Sequence, residues 1–187
     1  MKTNRLFFGL SLTVVGIFIT AGCQAAPTDK ETPAPMATDF TGITDWVGTK
    51  PLKLADLKGK VVVVHFFAQG CINCVHNYPY YRAWSKKYAE DKDFVLIGIH
   101  TPEFDAEKDL DRLKGQLEKH KLTFPVAIDN DFATWKAWKN EYWPAIYLID
   151  AEGRLKGVRS GELDDKSYAG ITELIDANLA EARKAKK

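Results

Sequence analysis

The sequence predicts one α/β domain, built on a mixed central β-sheet with helices on both faces. Runs of β-branched and aromatic residues at 60–68 and 94–100 are typical of buried strands. Segments with a helical spacing of apolar residues alternate with such runs, up to a terminal hairpin and a last helix. The chain length of 187 residues fits a single domain.

Each element follows from its own local pattern. After the run KVVVVHFFA at 60–68, apolar residues spaced by three or four from Cys71 to Tyr88 predict a helix. Pro79 lies inside this helix and is expected to kink it, because proline lacks a backbone donor. The segment 38–57 is expected to be a small hairpin or an irregular cap. The later elements are, in order, a strand at 94–100, a helix around Leu113, a strand at 125–129, a helix at 132–140, a strand at 145–150, its hairpin partner at 155–160 and a final helix capped by Asp164 or Asp165.

The N-terminus predicts an export signal ahead of this domain. Two basic residues precede an apolar run at 6–19, which has the length of a signal-peptide core and is short for a membrane span of about 20 residues. The ending Ala21-Gly22-Cys23 resembles bacterial lipoprotein signals, in which cleavage precedes a cysteine that becomes lipidated. We therefore expect residues 1–22 to be removed and Cys23 to carry a lipid anchor. The alternative is cleavage near Ala25 or Ala26, which would release a soluble secreted protein.

Residues 23–39 are predicted to be a flexible tether, and residues 40–187 the globular domain. The tether contains three prolines among alanine, threonine and charged residues and shows no hydrophobic period. After removal of residues 1–22, 24 basic residues remain against 25 acidic ones, so the net charge changes from +1 to −1. This balance gives no excess of positive charge for nucleic-acid binding. Export would also place the remaining cysteines where disulfides can persist.

Cys71 and Cys74 are the candidate redox pair. The motif Cys71-Ile72-Asn73-Cys74 lies where a strand gives way to a helix, and C-x-x-C on such a unit is a redox signature. The spacing places both sulfurs on one helix face, and the helix N-terminus favours a thiolate on Cys71. Haem attachment would require a histidine at Val75, whereas His76 comes one residue later. Structural zinc would require a fourth ligand, and a structural disulfide would close too short a loop to gain much chain entropy.

The sequence resembles exported, membrane-tethered thioredoxin-like proteins of the TlpA type, in particular the C-terminal redox domain of DipZ-like proteins. The similar runs are CINC, IGIHTPEF, FPVAIDND and YWPAIYLID, all between residues 60 and 162. The resemblance implies a thioredoxin fold and thiol–disulfide oxidoreductase activity, with Cys71 as the nucleophile and Cys74 as the resolving cysteine. It also implies that Pro144 is a cis-proline facing the disulfide, beside which the backbone pairs with a substrate peptide.

Two further residues are candidates for the site. His65 lies six residues before Cys71, where thioredoxins carry a buried aspartate, and it could relay a proton to or from Cys74. The alternative is a core histidine held by backbone partners. Trp143 is the member of an aromatic cluster that we expect nearest to the substrate, and core packing is the alternative for the cluster, which comprises Trp135, Trp138, Tyr142 and Trp143.

The predicted function is reduction of disulfides in extracytoplasmic partner proteins by a membrane-tethered lipoprotein. The resemblance implies partners such as apocytochrome c or copper-site thiols, and a membrane electron donor of the CcdA type. No cofactor and no metal site is predicted. Three alternatives stay open. The first is oxidation of partner thiols to disulfides, since Ile72-Asn73 does not fix the direction of exchange. The second is Cu(I) binding and transfer by Cys71 and Cys74, with or without His76. The third is peroxide reduction, although Ala68 stands where peroxiredoxins carry Thr or Ser.

Overall fold

A computed structural model describes residues 34–187 and shows the predicted α/β domain. The predicted signal peptide at 1–22, the predicted lipid site Cys23 and most of the predicted tether lie outside the described residues. The elements are β1 (Asp45–Val47), β2 (Val61–Phe67), α1 (Ile72–Lys87), β3 (Phe94–His100), α2 (Leu110–Lys119), β4 (Val126–Ile128), α3 (Ala133–Ala137), β5 (Ala145–Ile149), β6 (Leu155–Ser160) and α4 (Asp165–Ala185), with 3-10 turns at Leu54–Leu57 and Asp105–Lys108.

Six strands form one mixed sheet in the order β1-β4-β3-β2-β5-β6. Strands β2, β3 and β4 are parallel, whereas β5 is antiparallel to β2 and the outer strands β1 and β6 are antiparallel to their neighbours. The parallel strands need crossover connections, and α1 and α2 lie in these connections. The carboxyl ends of β2, β3 and β4 therefore share one edge of the sheet, and the turn into α1 begins at that edge.

Strand β2 is the buried centre of the sheet, with all seven residues buried. Its odd-numbered apolar residues join one core cluster and its even-numbered residues another, because successive side chains of a strand point to opposite faces. Residues of α1, α2 and α4 cover the first face, among them Trp84, Leu113 and Ile175. Helix α3, the turn Leu54–Leu57 and the segment before β1 cover the second face. The prediction of helices on both faces is confirmed.

The segment before β2 departs from the predicted local hairpin. Strand β1 pairs with β4, with Trp46 opposite Ala127, so its partner lies far along the chain and the hairpin alternative is wrong. The irregular-cap alternative agrees with the structure, because residues of this segment cover the second core cluster. Helix α3 is also shorter than the predicted helix at 132–140. Phe132 and Lys139, which flank it, have left-handed backbone angles with φ of 61° and 52°, and these angles interrupt helical geometry.

The last residues of the predicted tether contact the domain. The carbonyl oxygen of Pro35 accepts a hydrogen bond from Leu155 N at 2.8 Å, and Ala37 N donates to the carbonyl oxygen of Gly153 at 2.9 Å. Ordered contacts therefore begin several residues before residue 40, at the hairpin between β5 and β6. Within residues 34–187, no helix is both long enough and apolar enough to cross a membrane.

Candidate active site

The predicted redox pair lies at the turn from β2 into α1. Cys71 is the N-cap residue of α1, and the backbone N–H of Cys74 donates to the Cys71 sulfur at 3.4 Å. The first turn of a helix has unpaired N–H groups and favours an acceptor or a negative charge at this position. Both thiols are free. The local fold thus provides the predicted environment for a thiolate on Cys71.

The two thiols differ strongly in acidity. A hydrogen bond with the side chain of Cys74 lowers the pKa of Cys71 to about 7, although partial burial opposes this shift. Burial raises the pKa of Cys74 far above its usual range, and the hydrogen bond with Cys71 raises it further. Cys71 is partly exposed, whereas Cys74 is buried. Cys71 can therefore attack as a thiolate near neutral pH, while Cys74 keeps its proton until a later step removes it.

The Trp143–Pro144 peptide bond is cis, as the family resemblance implies. Strand β5 begins at the next residue, and Ala145 lies opposite Phe66 in the antiparallel pairing with β2. The cis-proline therefore stands at the same edge of the sheet from which the chain continues to Cys71. Its carbonyl oxygen accepts a hydrogen bond from Gly161 N at 2.8 Å, which ties it to the end of β6.

The aromatic cluster before Pro144 is mostly packed inside the domain. The ring centroid of Trp143 lies 4.2 Å from that of Trp135, and Trp135 and Trp138 both pack edge-on against Phe66. Tyr142, with 58% exposure, is the member of the cluster that faces solvent. Core packing therefore accounts for most of this cluster, and the substrate contact assigned to Trp143 stays a prediction.

Asn77 joins the active-site helix to the end of β6. Its side chain is fully buried, and its Oδ1 accepts a hydrogen bond from Leu163 N at 2.7 Å. Its Nδ2 donates to the Tyr81 hydroxyl at 3.2 Å and to the Gly161 carbonyl oxygen at 3.4 Å. Because Gly161 also bonds to Pro144, this one side chain links the helix that carries both cysteines to the cis-proline. Asn77 could not be recognised from the sequence, since nothing in its local pattern indicates a contact with residues 84 to 86 positions away.

His76 points towards the loop after β6. Its Nδ1 lies 3.0 Å from Glu162 Oε2, and both side chains are about half exposed. Among residues 34–187, no group of three or more His, Cys, Asp or Glu side chains is arranged to hold a metal ion. In this arrangement the Cu(I) alternative has the two cysteines as ligands, without the histidine.

His65 lies deep in the first core cluster, on the central strand. Its ring stacks on Tyr81 with centroids 4.0 Å apart and contacts the rings of Phe67 and Phe124. Neither ring nitrogen has a hydrogen-bond partner among the described residues. Complete burial lowers the pKa of His65 to about 3, so the ring is neutral at physiological pH. The structure thus surrounds His65 with aromatic rings instead of the expected backbone partners, and the proton relay stays a prediction.

Two glutamates with no role predicted from the sequence lie on the loop that contacts the turn into Cys71. Glu107 is buried, and its carboxylate accepts a hydrogen bond from Gly70 N, directly before Cys71, and another from Glu103 N. The negative charge of Glu103 raises the pKa of both Cys71 and Cys74. In the sequence, only their position could have indicated a role: both glutamates follow β3, at the edge of the sheet that carries the cysteines.

The fold and the cysteine pair define a thioredoxin-like protein with a candidate redox-active dithiol. The chain belongs to the AhpC/TSA family, which it matches over residues 33–158. Protein DipZ of Mycobacterium bovis is 41% identical over 131 residues, which are 68% of this chain and 19% of DipZ. This chain therefore spans about a fifth of the length of that relative.

Two smaller proteins match along most of their length. The thiol-disulfide oxidoreductase ResA of Bacillus cereus is 28% identical over 184 residues, which cover 94% of this chain and 99% of ResA. The crystal structure of a thiol-disulfide isomerase from Corynebacterium glutamicum superposes with a TM-score of 0.68 at 29% identity, covering 79% of this chain and 97% of that one. These similarities agree with the thioredoxin fold and with the redox chemistry of the cysteine pair.

Proposed function

We propose that this protein reduces disulfide bonds in partner proteins outside the cytoplasm, while a lipid on Cys23 holds it at a membrane. The difference between the two cysteines is the observation that carries the proposal. An accessible thiol with a pKa of about 7 precedes a buried thiol that stays protonated, as a two-step exchange reaction requires.

The reaction proceeds through a mixed disulfide. The Cys71 thiolate attacks one sulfur of the partner disulfide, so that a Cys71–partner bond forms and the other partner sulfur leaves as a thiolate. Cys74 then loses its proton and attacks the Cys71 sulfur, which releases the second partner thiolate. Two electrons pass to the partner, its two sulfurs take up protons, and a Cys71–Cys74 disulfide remains. A membrane electron donor of the CcdA type, which the family resemblance suggests, would supply two electrons for the next cycle.

The extracytoplasmic location rests on the sequence. The apolar run at 6–19 and the ending Ala21-Gly22-Cys23 support export and lipidation. A redox-active C-x-x-C pair also suits a compartment where partner disulfides persist. Apocytochrome c and copper-site thiols are the classes of partner that the family resemblance favours.

Exchange activity is tested with cysteine variants and a protein disulfide substrate. Cys71→Ser should abolish reduction, whereas Cys74→Ser should retain the first attack and accumulate a mixed disulfide with the substrate. Reducing gel electrophoresis of the trapped species checks that the link is a disulfide. Peroxide consumption is measured in the same recycling system. Failure of Cys74→Ser to trap any protein partner, together with rapid peroxide consumption by the parent protein, would replace the proposal with a peroxidase.

The direction of exchange is tested by the reduction potential of the Cys71–Cys74 pair, equilibrated against glutathione and dithiothreitol. We expect a value near the reducing end of the range from about −270 mV for thioredoxin to about −120 mV for a strong oxidant. A value near the oxidising end would instead make the protein a disulfide donor to newly exported proteins.

A further inference from the structure

One buried carboxylate connects the two loops that border the cysteine pair. Glu107 Oε1 accepts a hydrogen bond from Gly70 N at 2.7 Å, and Glu107 Oε2 accepts one from Glu103 N at 2.8 Å. The first donor directly precedes Cys71, and the second belongs to the loop after β3. The two oxygens of a single side chain therefore hold two chain segments together at the edge of the sheet.

The surroundings of Glu107 bury its side chain and leave space for its carboxylate beside Gly70. Its side chain is 5% exposed, and a carboxylate buried to this degree must be compensated by hydrogen bonds. Gly70 provides the space: a Cβ atom at residue 70 would overlap Glu107 Oε1. A side chain at position 70 is thus incompatible with the position that the Glu107 carboxylate occupies.

Glu103 contributes a negative charge from this loop. Its backbone N–H bonds to Glu107, while its own side chain is exposed. Its negative charge disfavours the thiolate forms of both Cys71 and Cys74. The thiolate is the form that attacks, and its stability also sets the balance between dithiol and disulfide.

We propose that Glu107 is a positioning residue, which holds the loop of Glu103 against the turn into Cys71 and so makes the cysteine pair more reducing. This inference rests on the Cys71–Cys74 redox cycle of the proposed function, but on neither its direction nor the identity of the partner. Glu107 acts through the loop, whereas Glu103 acts directly through its charge.

The test compares Glu103→Gln, Glu107→Gln and the double variant in the full chain. Two quantities are measured: the pH midpoint of Cys71 alkylation by iodoacetamide, and the redox equilibrium with glutathione. Glu103→Gln should lower the alkylation midpoint, with about a threefold increase in the acid dissociation constant, as expected for one partly screened charge. It should also shift the redox equilibrium towards the dithiol by about twofold, roughly 10 mV towards a more oxidising potential.

Glu107→Gln should shift both quantities in the same direction, because an amide cannot accept two backbone N–H groups in this geometry without placing its own NH₂ against one of them. The double variant should shift them no further than the larger single variant, since Glu107 acts through Glu103. Glu90→Gln is the matched control: it removes one exposed carboxylate at the opposite end of α1 and should change neither quantity.

Two outcomes would overturn the proposal. Glu107→Gln could lower the free energy of unfolding yet leave the alkylation midpoint and the potential unchanged, which would reduce Glu107 to a packing role. Additive effects in the double variant would show that the two glutamates act independently. If Glu107→Gln fails to fold, Gly70→Ala displaces the same carboxylate, and an unchanged midpoint in that variant counts against the proposal. Shifted midpoints without turnover of any protein disulfide would refute the proposed function and leave this inference standing.

Discussion

At the scale of single residues, Cys71 and the two buried histidines differ in the groups that surround them. Cys71 has hydrogen-bond donors that stabilise its charged form, and its pKa falls to about 7. His65 and His100 are buried, and their ring nitrogens have no hydrogen-bond partner among the described residues. Burial lowers the pKa of His65 to about 3 and the pKa of His100 to about 4. Burial thus keeps both histidines neutral, while the helix N-terminus prepares the cysteine for charge.

The neutral state of His65 predicts how stability depends on pH. In the unfolded chain this histidine takes up a proton near its ordinary pKa of 6.5, whereas in the folded chain it does so only near 3. The folded state is therefore not penalised by His65 above about pH 6.5. As the pH falls from 6.5 towards 3, protonation of His65 in the unfolded chain progressively lowers the free energy of unfolding. His65→Leu, which is close in volume, should reduce the loss of unfolding free energy between pH 6.5 and 4.

The same variant separates the two roles considered for His65. If His65 only packs against the aromatic side chains around it, His65→Leu should leave the rate of disulfide reduction at pH 7 unchanged. A clear fall in this rate, in a variant with intact folding by circular dichroism, would instead support the proton relay to Cys74.

At the scale of elements, the site depends on how α1 is joined to the strands beside it. The N-cap geometry of Cys71 is local, and the sequence motif sufficed to predict it. The connections through Asn77 and Glu107 bridge residues 37 to 86 positions apart, and no spacing rule reveals them. The long strands were predictable because their apolar runs are continuous, whereas β1 depends on pairing with β4 and could not be recognised from its three residues.

Asn77 offers a test of the connection between α1 and the cis-proline. Asn77→Ala leaves Leu163 N without its buried acceptor and creates a small cavity, so it should lower the free energy of unfolding by about 2–4 kcal/mol. It should also slow disulfide exchange, because the loop that bonds to Pro144 loses its contact with α1.

Asn178→Ala is the matched control for Asn77→Ala. Asn178 is also a buried asparagine, but its side chain donates to the Leu174 carbonyl oxygen within its own helix and, among the described residues, forms no hydrogen bond to a second element. This variant should cost about 1 kcal/mol at most and leave the exchange rate unchanged. Equal effects of the two substitutions on exchange would contradict a specific role for Asn77.

At the scale of the whole molecule, a thioredoxin-like domain follows a segment whose predicted task is to hold it near a membrane. The fold class was predictable because strand runs and helical periods alternate along the chain and because several motifs resemble one family. The cis geometry at Pro144 followed from that resemblance alone, since proline by itself indicates only a bend. The backbone pairing of residues 35–37 with the hairpin was not predicted, because a proline-containing segment has no pattern that indicates a partner.

Membrane attachment gives a prediction for the full chain. If a lipid on Cys23 anchors the protein, Cys23→Ser should move it from the membrane fraction to the soluble fraction without changing the reduction potential of Cys71–Cys74, which belongs to a separate part of the chain. Labelling with a radioactive fatty acid checks the modification directly. Membrane retention of Cys23→Ser without any label in the parent protein would favour another mode of attachment.

The two outer strands of the sheet affect whether copies of this domain can pair their sheets edge to edge. Strands β1 and β6 each pair with one strand within residues 34–187. Their outer edges therefore leave backbone groups open to another chain, apart from Leu155 at the start of β6, which bonds to Pro35. Strand β1 is only three residues long, and β6 carries Lys156 and Arg159 beside an irregular pairing at Leu148 and Ile149. Short, charged and distorted edges discourage strand exchange between copies. Copies of the domain held close together are therefore expected to resist joining their sheets edge to edge.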